Sequence, residues 1–267
     1  MSLKNKETVR QGLTKDELIQ GFRKLGIVEG MILEVHSSLK SFGYVIGGAQ
    51  AVVDALMDVV GYEGTLVMPL QSGDNTEPSY WINPPIDSSL WSKVRAETPA
   101  FSPRETDVRN MGAIVNNFRR RQGVYFSYHP NSAFVAYGKY AKLICSDHPL
   151  NYSLSDRSPL GRLIQLKTFV LLLGVSYDNC TGMHLAEYRS KVRPVILQGG
   201  RIEENGSSKW VKFIDLALDS DEFNETGRIM EENDVVRKLL IGKSECRLFF
   251  LKHAVDITTD YLQKKHG

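Results

Sequence analysis

Apolar positions recur along this chain with two periods, and the switches between them mark its elements. Leu18, Ile19, Phe22 and Leu25 fall at helical spacing behind Thr14-Lys15-Asp16-Glu17. That tetrad is a capping box, in which the Thr oxygen and the Glu carboxylate satisfy backbone donors at a helix start, and Gly26 is a natural stop. Met31–Val35 predicts a short buried strand, although Glu34 in its middle needs a partner or an edge. Ala51, Val52, Ala55, Leu56, Val59 and Val60 trace one helix face up to Gly61, and Thr65–Met68 predicts the next strand, stopped by Pro69. Arg109–Arg120 has helical texture, and Ala133–Ala136 that of a strand. Phe169–Val175 is apolar on both faces, as a covered parallel strand is, and a helix over Met183–Arg189 follows it. This alternation predicts an α/β core with at least some parallel strands.

Beyond residue 192 the texture changes. Pro194–Leu197 and Trp210–Leu218 flank the turn Glu204-Asn205-Gly206-Ser207, which predicts an antiparallel hairpin. A polar helix near 221–233, a strand near 246–251 and a helix from about 253 follow. Residues 71–107 form a long Pro-, Ser- and Asn-rich segment carrying Tyr80, Trp81 and Trp91, and a loop of that length is usually functional. With no convincing linker along the chain, residues 1–267 are expected to form one domain with a C-terminal elaboration from about 192.

Composition narrows the function classes. Lys+Arg total 33 against 31 Asp+Glu, and the densest basic run is Arg119-Arg120-Arg121, so the charged face that nucleic acids need is missing. Cys145, Cys180 and Cys246 are widely spaced without a CxxC pair, and the six histidines form no HxH, HExxH or HxxxH pair. Spacing therefore predicts neither a disulfide framework nor a metal site. The polar start of the chain lacks a signal-peptide stretch, and Phe169–Leu173 is too short to span a bilayer, so a cytoplasmic protein without membrane partners is expected.

Two segments carry candidate chemistry. In the first, a strand delivers the chain into His36-Ser37-Ser38-Leu39-Lys40-Ser41-Phe42-Gly43, with Gly47-Gly48 just before a helix. Hydroxyls, backbone N–H groups and a lysine there suit phosphate, though the run matches neither a P-loop nor a GxGxxG fingerprint. In the second, Asp178-Asn179-Cys180-Thr181-Gly182-Met183-His184 lies beyond the most apolar strand, where α/β sheets place ligands. His184 and Glu187 share a helical face, so a carboxylate can fix the imidazole tautomer; Asp178 is a second possible orienter. Cys180 with His184 is a rival reading, a thiol nucleophile and its base.

Taken in order, His36-Ser37-Ser38-Leu39, Phe42-Gly43, Gly47-Gly48-Ala49, Gly64-Thr65-Leu66-Val67-Met68-Pro69, Trp81-Ile82-Asn83-Pro84-Pro85, Arg109-Asn110-Met111-Gly112, His129-Pro130, Ser158-Pro159-Leu160-Gly161-Arg162 and His184-Leu185-Ala186-Glu187 form one pattern over roughly residues 12–190. The chain resembles the aminoglycoside 3-N-acetyltransferase family, which is distinct from the GNAT acetyltransferases. The resemblance implies a three-layer α/β/α fold around a mixed, partly parallel sheet, and acetyl-CoA as donor, contacted at Ser37, Ser38 and Ser41 within the His36–Gly43 stretch, with Arg109, Met111, Gly112 and Ser158 as further coenzyme-side candidates. It implies His184 as the base that deprotonates the acceptor amine, a nearby carboxylate (Glu187 or Asp178) as its helper, and Thr181 as an oxyanion donor. Where related sequences commonly read Asn-Thr-Ser, this one reads Cys180-Thr181-Gly182. A polycationic acceptor would need carboxylates, for which Asp74, Glu77, Asp107 and Asp156 are the loop candidates. An N-acetyltransferase for a non-antibiotic amine, a thiol hydrolase and a non-catalytic CoA-binding protein are the alternatives.

Overall fold

The computed structural model describes residues 12–108 and 111–267. In chain order the elements are β1 (Gly12–Leu13), α1 (Lys15–Leu25), β2 (Ile32–Ser37), β3 (Tyr44–Val45), α2 (Gly48–Val60), β4 (Thr65–Gln71), α3 (Trp91–Glu97), α4 (Gly112–Phe118), β5 (Tyr125–Phe126), β6 (Ser132–Gly138), α5 (Ala141–Cys145), α6 (Pro159–Gln165), β7 (Phe169–Leu173), α7 (Leu185–Ser190), β8 (Val195–Glu204), β9 (Ser207–Leu216), α8 (Phe223–Glu232), β10 (Val236–Ile241), β11 (Ser244–Phe250) and α9 (Leu251–His266).

The main sheet runs β10-β11-β7-β2-β4-β6-β5. β7, β2 and β4 are mutually parallel, while β11 and β6 pair antiparallel on either side of them. Strand period sorts the side chains between two cores. Leu33 and Val35 of β2 and Leu171 and Leu173 of β7 join residues of α1, α2 and α4 on one face. Ile32, Val170 and Leu172 join residues of α5, α6, α8 and α9 on the other. Each fully buried Leu or Val stabilises by about 1.5–3 kcal/mol relative to exposure, so this two-sided burial holds the three layers together.

The expected capping box forms, with Thr14 and Glu17 bonded reciprocally at the start of α1. Several boundaries differ from expectation. β4 runs through Pro69 to Gln71. Pro69 lies opposite Phe134, whose own N–H and C=O are turned to Ser127, so no ladder bond is required of the proline on that side. On its other side the pairing with β2 has already ended at Val67, so the missing N–H costs nothing. The helix expected over Arg109–Arg120 is shorter, Gly112–Phe118. Residues 71–107 contain 3-10 turns at Gly73–Asn75, Pro78–Tyr80 and Ser88–Leu90 as well as α3.

The hairpin β8–β9 forms as expected and stands as its own two-stranded sheet. β10, an edge strand mixing Arg237 and Lys238 with half-buried Val236 and Leu239, escaped the periodicity. Charged side chains of that kind discourage further strand pairing at an edge. The parallel strands deliver three loops to one end of the sheet: Ser38 after β2, Ser72 after β4 and Gly174 after β7. Among the described residues no helix is long and apolar enough to cross a membrane.

Candidate active site

Beyond β7 the chain makes two 3-10 turns, Tyr177–Asn179 and Thr181–His184, before α7 begins. His184 closes the second turn, and Glu187 follows one helical turn later, so the two side chains meet. Nδ1 of His184 lies 2.5 Å from Glu187 Oε2, the carboxylate being fully buried and the imidazole mostly so. The other carboxylate oxygen accepts from Arg193 Nε at 2.7 Å and from the Asp219 N–H at 2.9 Å. Arg193 in turn reaches Glu222 Oε2 at 3.1 Å. With Nδ1–H donated to a carboxylate so held, His184 presents Nε2 as an acceptor. Phe223 packs 5.0 Å from the ring and limits its rotation.

His184 lies on the wall of a cleft of ≈ 670 Å³. Gln71, Ser72, Met111, Gln198, Asp215 and Ser220 share that wall. Among the described residues that line it, Asp215 is the one carboxylate and none is a lysine or arginine. Its oxygens accept from the Tyr188 hydroxyl, from Ser153 N–H at 3.3 Å and from Leu216 N–H at 2.9 Å. Burial, and then the Asp215 charge, push the Tyr188 phenol well above its ordinary range, so Tyr188 stays a donor. Thr181, buried and lining neither cleft, is linked to the first one through Gln71, whose Nε2 donates to Thr181 Oγ1 at 3.3 Å.

Behind this cleft two imidazoles stack with centroids 4.8 Å apart. His129 donates from Nε2 to Leu150 O at 3.0 Å, and its Nδ1 accepts from Asn131 N at 3.2 Å and Ser132 N at 3.1 Å. His148 donates to Ser153 O at 2.7 Å and faces Ser127 Oγ at 2.9 Å. Burial pulls both down, His129 to about 4 and His148 to about 3. Both rings are therefore neutral, and they brace Ser132 and Ser153 on the cleft wall.

A second cleft, ≈ 890 Å³, is lined by Ser37, Ser38, Lys40, Ser41, Gly112, Lys243 and Arg247. It adjoins the first where Met111 lines one and Gly112 the other. Ser41 Oγ donates to Ser38 O at 2.7 Å and meets Ser244 Oγ at 2.8 Å. Gly174, with φ +64°, lets this happen: a Cβ there would sit 1.9 Å from Ser41 Oγ.

The expected site residues divide accordingly. Ser37, Ser38, Leu39, Lys40, Ser41 and Gly112 line the second cleft, whereas Met111 faces the first. Phe42 is buried in the core, Gly43 stands against Lys243, and Ser158 is a buried N-cap of α6, so these three are structural rather than cleft-lining. His36 turns inward, 3.2 Å from Glu34. Arg109 lies outside the described residues. Asp178 is exposed and accepts from Ser176 and from Asn179 at 2.7 Å, so Glu187 is the residue that holds His184. Of the four loop acids none lines either cleft: Glu77 pairs with Arg95 at 2.5 Å, Asp156 with Arg189 at 2.7 Å, and Asp74 and Asp107 are exposed on the long loop. Asp215, Arg193, Gln71 and Lys243 were missed. A signal existed for Asp215, an acid inside the apolar run Phe213-Ile214-Asp215-Leu216.

Two further features bear on the chemistry. The Cys180 thiol is fully buried, and burial, followed by the charge of Glu34, pushes it far above its ordinary value, so it is no nucleophile. Gly182 has a steric reason, since a Cβ there would lie 2.2 Å from Glu34 Oε2. Glycine at position 182 is thus the residue that fits against a glutamate at position 34.

Residues 35–263 match the aminoglycoside 3-N-acetyltransferase family. The chain is 41% identical over 244 residues to the SPbeta prophage-derived aminoglycoside N(3')-acetyltransferase-like protein YokD of Bacillus subtilis (strain 168), covering 91% of this chain and 90% of that protein. The crystal structure of YokD superposes with a TM-score of 0.93 over 97% of this chain and 96% of that one. Aminoglycoside N(3)-acetyltransferase VII of Streptomyces paromomycinus is 30% identical over 279 residues, 96% of this chain and 93% of that enzyme. A structure described as AAC-IIIb binary with CoASH shares the fold at 23% identity, with a TM-score of 0.86 over 96% of this chain and 98% of that one. This chain belongs to the aminoglycoside 3-N-acetyltransferase family and is an acyltransferase of that type.

Proposed function

We propose that the protein transfers the acetyl group of acetyl-CoA to an amine of an aminoglycoside-like acceptor, the 3-amino group of a 2-deoxystreptamine ring by analogy with its relatives. Both substrates bind together, and His184 is the general base. The observation that carries this reading is the Glu187-bonded imidazole standing on the wall of one cleft beside its junction with a second. The serine-rich basic cleft suits a phosphorylated coenzyme, and the binary complex of AAC-IIIb with CoASH supports that donor. The cleft holding His184 and Asp215 suits a cation, with the buried carboxylate facing an ammonium group. As the amine attacks the thioester carbonyl, Nε2 takes the amine proton. The tetrahedral intermediate then collapses with cleavage of the C–S bond, and the imidazolium returns the proton to the departing thiolate. Thr181 or a loop N–H steadies the oxyanion. Acetyl-CoA supply makes the cytoplasm the compartment for this reaction.

A base in this position contributes about 10²–10⁴-fold. His184→Ala is expected to lower kcat by that factor while CoA affinity, read by calorimetry, stays within about twofold. Unchanged turnover with a panel of aminoglycosides and simpler amines, followed by CoA-thiol release, overturns the assignment. NMR of the product reads which amine is modified.

A further inference from the structure

On the face of β2 opposite the α1 and α2 helices, the strand period places Glu34 and His36 side by side beneath the turn that carries Cys180. All three are buried, at 0%, 5% and 0% exposure. His36 Nε2 approaches Glu34 Oε1 at 3.2 Å, yet neither carboxylate oxygen nor that nitrogen has a hydrogen-bond partner among the described residues. A carboxylate taken out of water without donors costs several kcal/mol unless a cation meets it. The three potential ligand atoms, one carboxylate oxygen, one imidazole nitrogen and one sulfur, lie within 4.8 Å of one another. Bonds of about 2.0–2.3 Å to a tetrahedral zinc put its ligand atoms about 3.3–3.5 Å apart, so small rotations of these side chains suffice to close the set.

We propose that Glu34, His36 and Cys180 supply three of the four coordination positions of one divalent transition-metal ion of the zinc class, held beneath the Thr181–His184 turn. Sulfur, imidazole and carboxylate together suit zinc or cobalt(II) over calcium or magnesium, which prefer oxygen alone. The ion compensates the buried carboxylate and ties the turn bearing Thr181 and His184 to the central strand, bridging residues that lie far apart in sequence. Spacing rules miss such a site because two ligands lie on β2 and the third, Cys180, on the turns beyond β7, the strand that pairs with β2.

The site is independent of the acetyl-transfer reading, and its test does not read activity. The full chain, made without a polyhistidine tag in zinc-supplemented medium and gel-filtered, is expected to carry about one zinc per chain by plasma mass spectrometry. Because the site is closed, the protein is also unfolded with chelator and refolded with cobalt(II). We expect a sulfur-to-cobalt charge-transfer band in the near ultraviolet and tetrahedral ligand-field bands in the visible. Cys180→Ser removes the near-ultraviolet band, whereas Cys145→Ser and Cys246→Ser retain it. Should Cys180→Ser fail to fold, the unsubstituted chain decides alone. A metal-free protein that refolds equally well without zinc and shows no cobalt band overturns the site, as does a band that survives Cys180→Ser.

Discussion

The two clefts meet at Met111 and Gly112 yet are built in opposite ways. The basic one takes the longest stretch of its wall from one contiguous run, Ser37–Ser41, and is closed by Gly174–Ser176 and by Lys243, Glu245 and Arg247. The acidic one is assembled from at least six separated segments, reaching from Gln71 through Asn131, Ser153 and His184 to Gln198 and Asp215. A contiguous loop fits a ligand common to a whole family, because one backbone shape suffices. A wall of many segments can change at each one separately, which suits it to discriminate among acceptors.

The largest expected effect that separates the clefts is on stability in acid. The folded-state values of His129 and His148 are depressed to about 4 and about 3 by burial, so the unfolded chain binds more protons. Their contribution is fully present above about pH 6.5 and is lost as pH falls toward those folded values, of order a few kcal/mol in total. Thermal midpoints measured from pH 7 to pH 4 should fall, and His148→Asn should flatten the slope. Because the pair braces the acidic cleft, acceptor KM should rise before CoA affinity weakens; the reverse order breaks the comparison.

Next in size is Asp215→Asn. A charge-assisted bond is worth about 1.5–3 kcal/mol, so the KM of a polycationic acceptor should rise roughly 10–100-fold with CoA affinity unchanged. A fall in thermal midpoint without a KM change would instead reduce Asp215 to a partner of Tyr188. Lys243→Ala should act on the other side, weakening CoA several-fold at low salt and less at high salt, since exposed charge pairs are worth about 0.2–1 kcal/mol. The smallest effect is expected for Asp178→Asn, which should leave kcat within about twofold; a large loss would make Asp178, rather than Glu187, the carboxylate that orients His184.

Much of this was legible beforehand, and the residues show why. The capping box at Thr14, the hairpin turn at Asn205-Gly206 and the Ser37–Ser41 loop are local, encoded within a few positions. The His184–Glu187 pair is local too, three residues apart on one turn. Arg193, Gln71 and Asp215 reach the site through tertiary packing, and no spacing rule joins residue 71 to residue 215. The four loop acids failed for the complementary reason: loop position places a carboxylate near the surface, while ion pairs such as Glu77 with Arg95 turn it away from a ligand. Pro69 ended the expected strand early because propensity cannot see which side of a strand goes unpaired.

The bond between Ser41 and Ser244 spans 203 residues of sequence. Chains are made from the N-terminus at about 5–20 residues per second, so the serine loop emerges roughly ten seconds or more before the strand that completes its cleft. During that interval β7 has neither β11 beside it nor α9 over its outer face. The pocket is therefore finished only once β11 has been made, and a chain stopped short of β11 would carry the serine loop without the wall that makes it a site.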